Sequence, residues 1–264
     1  MKTTPVLALA LSLLSIAASA QTTALTDPLV EEKETTITCE LKEAPKRGEV
    51  VVFDSAKDGE TAKGVFHYKL WIPKGYNADA KKKWPCLFVM SPSGNAAMGN
   101  MANYLKANSY VVVMLVEAKN GPWGPIVGNF LAAHDDAIKR VRIDEAQKFA
   151  TGMSGGARAS SVFVQARPGF SGLILQGAGP VSDSKGAYLV AGIKREPKLF
   201  VAMTMGDSDS NKSEVKATDT AIPGARFKAF DFKGAHVWAP AETFEQAMAW
   251  IKEKTGGRPS GLSR

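Results

Sequence analysis

Apolar positions along this 264-residue chain follow two regimes. Up to about residue 72 they alternate with polar ones over 34–40, 49–54 and 64–72, with turn-forming stretches at 45–48 and 57–59 between them. Period-two alternation predicts half-buried strands, here an antiparallel N-terminal β-meander. Beyond residue 84 the apolar runs become continuous: 86–90, 110–116, 148–151 and 173–176, with 199–203 and 226–232 extending the series. Unbroken runs of this length predict parallel strands buried on both faces. Helix-compatible stretches lie between them at 98–107, 131–141, 160–166, 213–220 and 241–254. Alternation of strands and helices predicts an α/β fold, with a mostly parallel central sheet covered by helices on both faces.

The first twenty residues stand outside this pattern. Lys2 precedes an apolar run over 6–17, and Ala18-Ser19-Ala20 forms a small-x-small cleavage site. That order predicts a secretory signal over 1–20 and a secreted or periplasmic protein. A polar linker over 21–33, a single domain over 34–254 and a flexible tail over 255–264 complete the expected organisation. The signal's apolar run is short for a bilayer, and no later segment approaches ~20 apolar residues, so no integral membrane segment is expected after signal removal.

Composition narrows the function classes. With 45% hydrophobic and 22% charged residues, 24 Gly and 14 Pro, the chain reads as globular rather than disordered or collagenous. The net charge of +7 is spread out, with local clusters only at 81–83 and 258–264, which argues against a nucleic-acid partner. Cys39 and Cys86 are the two cysteines. An exported chain can bridge such a pair, yet Cys86 lies in an apolar run where a buried free thiol is equally natural.

Chemistry concentrates at Gly152-Met153-Ser154-Gly155-Gly156, a G-x-S-x-G string after an apolar run and before a helical one. In a strand–serine–helix elbow the nucleophile adopts a strained backbone, neighbouring chain crowds the positions two before and two after it, and glycine relieves both clashes. A serine hydroxyl needs a base, and the base needs an orienting carboxylate. Of the three histidines, His67 falls in a strand-like run and reads as a surface or cross-strand residue; His134 reads as part of a solvated helix face. His236 follows the run 226–232 and precedes a helix, which puts it at the sheet edge where open α/β sheets bind ligands. The acid should leave the strand 199–203, where Asp209 is preferred and Asp207 held in reserve. The surrounding Asp-Ser-Asp-Ser-Asn string fails as a calcium loop, because Lys212 and Thr218 stand at its sixth and twelfth positions. No metal and no cofactor are expected.

The order Ser154, Asp209, His236, each just after a strand, resembles the α/β-hydrolase fold, in particular exported feruloyl esterase and polyhydroxybutyrate depolymerase-like esterases. The strings Gly206-Asp207-Ser208-Asp209-Ser210-Asn211 and Gly234-Ala235-His236-Val237-Trp238 share in that resemblance. It implies a Ser-His-Asp serine hydrolase acting on a small-molecule or polymer ester through an acyl-enzyme. The oxyanion hole would use the Gly155 amide and one from Ser93 or Gly94. Many members carry His-Gly where this chain has Ser91-Pro92-Ser93-Gly94, and Pro92 lacks an N–H. Trp123 and Trp238 are expected to wall the substrate site. A peptidase of the same fold and a non-catalytic binding protein are the competing readings.

Overall fold

The computed structural model describes residues 29–222 and 224–256. The expected signal over 1–20, most of the linker and residues 257–264 of the tail lie outside the described residues. The described residues form eight strands: β1 (Thr35–Leu41), β2 (Gly64–Trp71), β3 (Trp84–Met90), β4 (Val111–Leu115), β5 (Ile143–Met153), β6 (Gly172–Gln176), β7 (Phe200–Gly206) and β8 (Phe227–Phe232). They join in one sheet, ordered β1-β2-β4-β3-β5-β6-β7-β8. β1 pairs antiparallel with β2, and β2 with β4. From β4 to β8 every pairing is parallel. The helices are α1 (Ser55–Ala62), α2 (Ala102–Ala107), α3 (Trp123–Arg140), α4 (Gly155–Ala166), α5 (Ala191–Arg195), α6 (Glu214–Ala221) and α7 (Ala241–Lys254).

Two-residue alternation sorts the sheet's side chains onto opposite faces. On β3, Phe88 and Met90 join Phe130, Phe163 and Phe170 under α3 and α4, while Leu87 and Val89 join Leu105, Phe244 and Met248 under α2 and α7. All five residues of β4 are buried, as its unbroken apolar run requires, whereas edge strand β1 alternates between buried or partly buried and exposed positions.

Several local expectations need correction. Residues 49–54 form turns rather than a strand, with Glu49 N–H on Lys46 O and Phe53 N–H on Val50 O. Val50 and Phe53 are buried and Val51 is exposed, so the alternation records docking of a loop and not pairing in a sheet. The Asp54 carboxylate then accepts the Ala56 N–H and caps α1, across a stretch whose Lys57-Asp58-Gly59 resembles a turn. The N-terminal antiparallel element therefore has two strands. Helix α3 starts at Trp123, well before residue 131, because Pro122 and Pro125 sit at its first turn, where missing N–H groups cost nothing. Helix α4 likewise begins at Gly155.

His134 is buried, not solvated. Its ring packs against Phe88, Phe163 and Phe170 at 5.6–6.2 Å, Nδ1 lies 2.9 Å from Asp135, and burial depresses its pKa. Cys39 and Cys86 are free and buried. They sit on β1 and β3, three strand spacings apart, about 14 Å at ~4.8 Å per step, which is out of disulfide range. Burial pushes the Cys39 thiol up to about 12 and raises that of Cys86 as well.

Candidate active site

Ser154 joins the end of β5 to the start of α4 with φ 54° and ψ −118°, a backbone that side-chain-bearing residues rarely adopt. Its N–H donates to Gln176 O at 2.8 Å, at the end of β6. The two flanking glycines are needed for space. A Cβ on Gly152 would overlap the main chain of Gly156, and one on Gly156 would lie 2.5 Å from Met90 O and 3.1 Å from Ser91 N. Strand β5 and helix α4 thus meet at a distance that only hydrogen side chains permit.

Two further connections leave their strands at the same edge, each through one extra rung of the parallel ladder. Gly177 N–H donates to Thr204 O at 2.9 Å, and Asp207 N–H to Phe232 O at 2.9 Å. This staggered arrangement brings the predicted residues together. His236 Nε2 is 2.9 Å from Ser154 Oγ, and Nδ1 is 3.0 Å from both carboxylate oxygens of Asp209. The Asp209 side chain is fully buried and also accepts the Asn211 N–H at 2.8 Å. Asn211 in turn donates from Nδ2 to Gly177 O at 2.8 Å. Ser154 is half-buried and His236 is exposed, so the row opens to solvent.

Asp207 does something else. It accepts the Gly234 N–H at 3.0 Å and the Ser208 hydroxyl at 3.2 Å, and these donors hold its carboxyl below the usual range. Ser208 closes the same strap through Gly234 O at 2.8 Å. Asp207 therefore ties the loop after β7 to the loop carrying His236.

Gly155 is the first residue of α4, where helix geometry leaves amides without intrahelical partners. On the facing turn, the Gly94 N–H is committed to Ser91 O at 3.1 Å, whereas the Ser93 N–H reaches only Ser91 Oγ at 3.4 Å. Ser93 is thus the freer donor of the two. Pro92 O accepts the Asn120 N–H at 2.8 Å, and Ser93 bridges Lys119, which pins the turn to the chain leaving β4.

Trp238 lines a cavity of about 200 Å³ together with Ser91, Ser93, Gly94 and Met98. Trp123 lies half-buried against the α3–α4 side of the core, while Trp238 packs against the α2–α7 side. A larger hollow of about 820 Å³, bordered by Glu145, Phe170, Lys198 and Lys254, opens at the N-terminal ends of β6 and β7, the edge opposite Ser154. His67 bonds Glu117 at 2.8 Å and takes no part in the row. Among the described residues no cluster of three or more His, Cys, Asp or Glu could hold a metal, and no helix is long and apolar enough to cross a membrane.

Sequence reasoning missed two supports. Gln176 is a polar residue closing the apolar run of β6, and that mismatch was a readable signal; it is buried, donates to Thr151 Oγ1 and accepts the Ala239 N–H close to His236. Asn211 lay within the aspartate string, but its role depends on a carbonyl 34 positions away.

No family model and no curated protein matches the chain by sequence. Its likeness is to solved structures. A ferulic acid esterase superposes with TM-score 0.55 at 14% identity, covering 85% of this chain and 99% of its own. The S-formylglutathione hydrolase of Staphylococcus aureus gives 0.56 at 12%, with 84% and 99% covered. A puromycin hydrolase gives 0.61 at 14%, covering 90% of this chain but 42% of its own. The fold is that of the α/β-hydrolases.

Proposed function

We propose that this chain is an exported serine esterase that works through Ser154, His236 and Asp209. The observation that carries the reading is the continuous hydrogen-bonded row, Ser154 Oγ to His236 Nε2 at 2.9 Å and His236 Nδ1 to Asp209 at 3.0 Å, at the open end of a parallel sheet. In the first step the Ser154 oxygen attacks an ester carbonyl as its proton passes to His236 Nε2. Asp209 holds the imidazole by Nδ1–H and stabilises the imidazolium. The carbonyl oxygen becomes an oxyanion facing the Gly155 and Ser93 amides. Collapse expels the alcohol, which takes the proton from His236, and leaves an acyl-Ser154. Water then attacks the acyl group with His236 as base, releasing the acid and restoring the serine.

Gly94 is the less favoured second donor, since its N–H already closes a turn. The cavity beside Trp238 would receive part of the substrate, a small-molecule or polymer ester. Trp123 would contribute a wall from the start of α3. Export rests on the sequence of residues 1–20.

The test is Ser154→Ala against a short-chain aryl ester and a fluorophosphonate probe. The wild type should turn over the ester and label, and the variant should do neither. Equal labelling of both would remove Ser154 as nucleophile, and no turnover by the wild type would favour a binding protein. The likeness to a puromycin hydrolase makes amide cleavage the second reading. A matched aryl ester and anilide separate the two.

A further inference from the structure

We propose that Asn120 contacts the substrate at the oxyanion end of this site, donating a side-chain hydrogen bond to the oxygen that gains charge during attack. The inference rests on the esterase reading above. Three features place the residue there. Its backbone N–H is held by Pro92 O at 2.8 Å, and its neighbour Lys119 bridges Ser93, so it stands directly beside the turn that carries one oxyanion donor. Its amide fills the space that a side chain on Gly155 would take: a Cβ there would overlap Oδ1 and lie 2.7 Å from Cγ and 3.2 Å from Nδ2. Gly155 supplies the other donor. Asn120 therefore touches both segments that would supply the backbone amides, its main chain bonded to the turn of Ser93 and its side chain lying against Gly155.

Its side chain is also unoccupied. Asn120 is exposed, and its amide makes no hydrogen bond with another described residue. A free carboxamide lying on the first residue of α4 has a chemical use that a packing residue lacks. It is neutral, so it does not oppose a developing anion. Rotation of the terminal amide lets its NH₂ face the site, since the oxygen and nitrogen ends occupy equivalent positions. The absence of a side chain at Gly155 follows from the same geometry: the glycine leaves room for a polar group delivered from the loop after β4.

The experiment compares Asn120→Ala and the isosteric Asn120→Asp with the wild type on one aryl ester, across pH, with thermal melting as the check on folding. A donor acting only in the transition state should give a kcat for N120A lower by about tenfold or more, with KM within about twofold. N120D places an anion against the oxyanion. Its kcat should fall below that of N120A at neutral pH, and its ratio to the wild type should rise as pH drops toward the carboxylic range, where a protonated Asp can donate. Both variants within twofold of wild-type kcat at every pH, or an N120D ratio that does not move with pH, would overturn the assignment. A wild type that neither labels nor turns over would overturn the esterase reading and this inference with it.

Discussion

Replacing Asp209 by Asn should nearly abolish turnover while leaving the shape of the site intact. The carboxylate is fully buried and accepts two donors, His236 Nδ1–H at 3.0 Å and Asn211 N–H at 2.8 Å. An amide has one accepting oxygen for these two donors. If its NH₂ faces Nδ1, the imidazole must carry its proton on Nε2, toward Ser154 Oγ, where it can no longer take the serine's proton. The electrostatic loss can be sized independently. With charge centres about 4 Å apart and an effective dielectric near 20, the carboxylate–imidazolium attraction is about 4 kcal/mol. That corresponds to a fall of about 10³ in kcat. The assay is steady-state hydrolysis of a short-chain aryl ester, with Asp207→Asn measured in parallel. Asp207 serves exposed loop ties at Gly234 and Ser208, so its variant should stay within about threefold of the wild type. An Asp209→Asn enzyme keeping more than a tenth of wild-type kcat, or an Asp207→Asn enzyme losing as much, would refute this reasoning.

Two further expectations concern stability. Gly156→Ala forces a methyl to within 2.5 Å of Met90 O, a backbone atom that cannot step aside, so urea denaturation should show a loss of about 1–3 kcal/mol; an unchanged midpoint would contradict the contact. His134 is held neutral by burial among three phenylalanines, with Asp135, Lys148 and Arg167 as its charged neighbours. Its folded-state pKa is depressed, so the unfolded chain binds the proton more readily. The stability it contributes is complete above about pH 6.5 and is lost as pH falls below that value. The urea midpoint should therefore drop between pH 7.5 and 5.5, and His134→Phe should flatten that slope; an equal slope in the variant would count against it.

The sequence was most readable where a single physical rule acts locally. Continuous apolar runs located β3, β4, β6 and β7, and the spacing of Gly152 and Gly156 around Ser154 anticipated two backbone collisions that the structure contains. The placement of Asp209 and His236 after successive strands followed from the same pattern. Reading failed where a local signal has two physical meanings. Val50, Val51 and Phe53 alternate because a turn docks two of them, and no strand edge is there to pair with. The helical stretch reads as starting at residue 131, although a helix's first turn accepts Pro122 and Pro125 and the helix starts at Trp123. His134 sits beside Asp135 and Asp136, which suggested water, yet helix periodicity turns its ring inward onto Phe88 and Phe163. Gln176, Asn211 and Asn120 are defined by chain segments remote in sequence, and composition holds no record of such encounters.

The staggered rungs at Ser154, Gly177 and Asp207 also bear on how the gene can change length. Each one fixes a loop's departure point by counting residues along the preceding strand. A single codon gained or lost inside β6 or β7 would slide a rung by one peptide and turn the loop behind it toward the other face of the sheet. The turn over 183–186, closed on itself by the Asp183 carboxylate and the Gly186 amide, carries no such count. Freedom to insert is thus set by membership in that ladder, and nearness to the reacting oxygen is a poor guide to it.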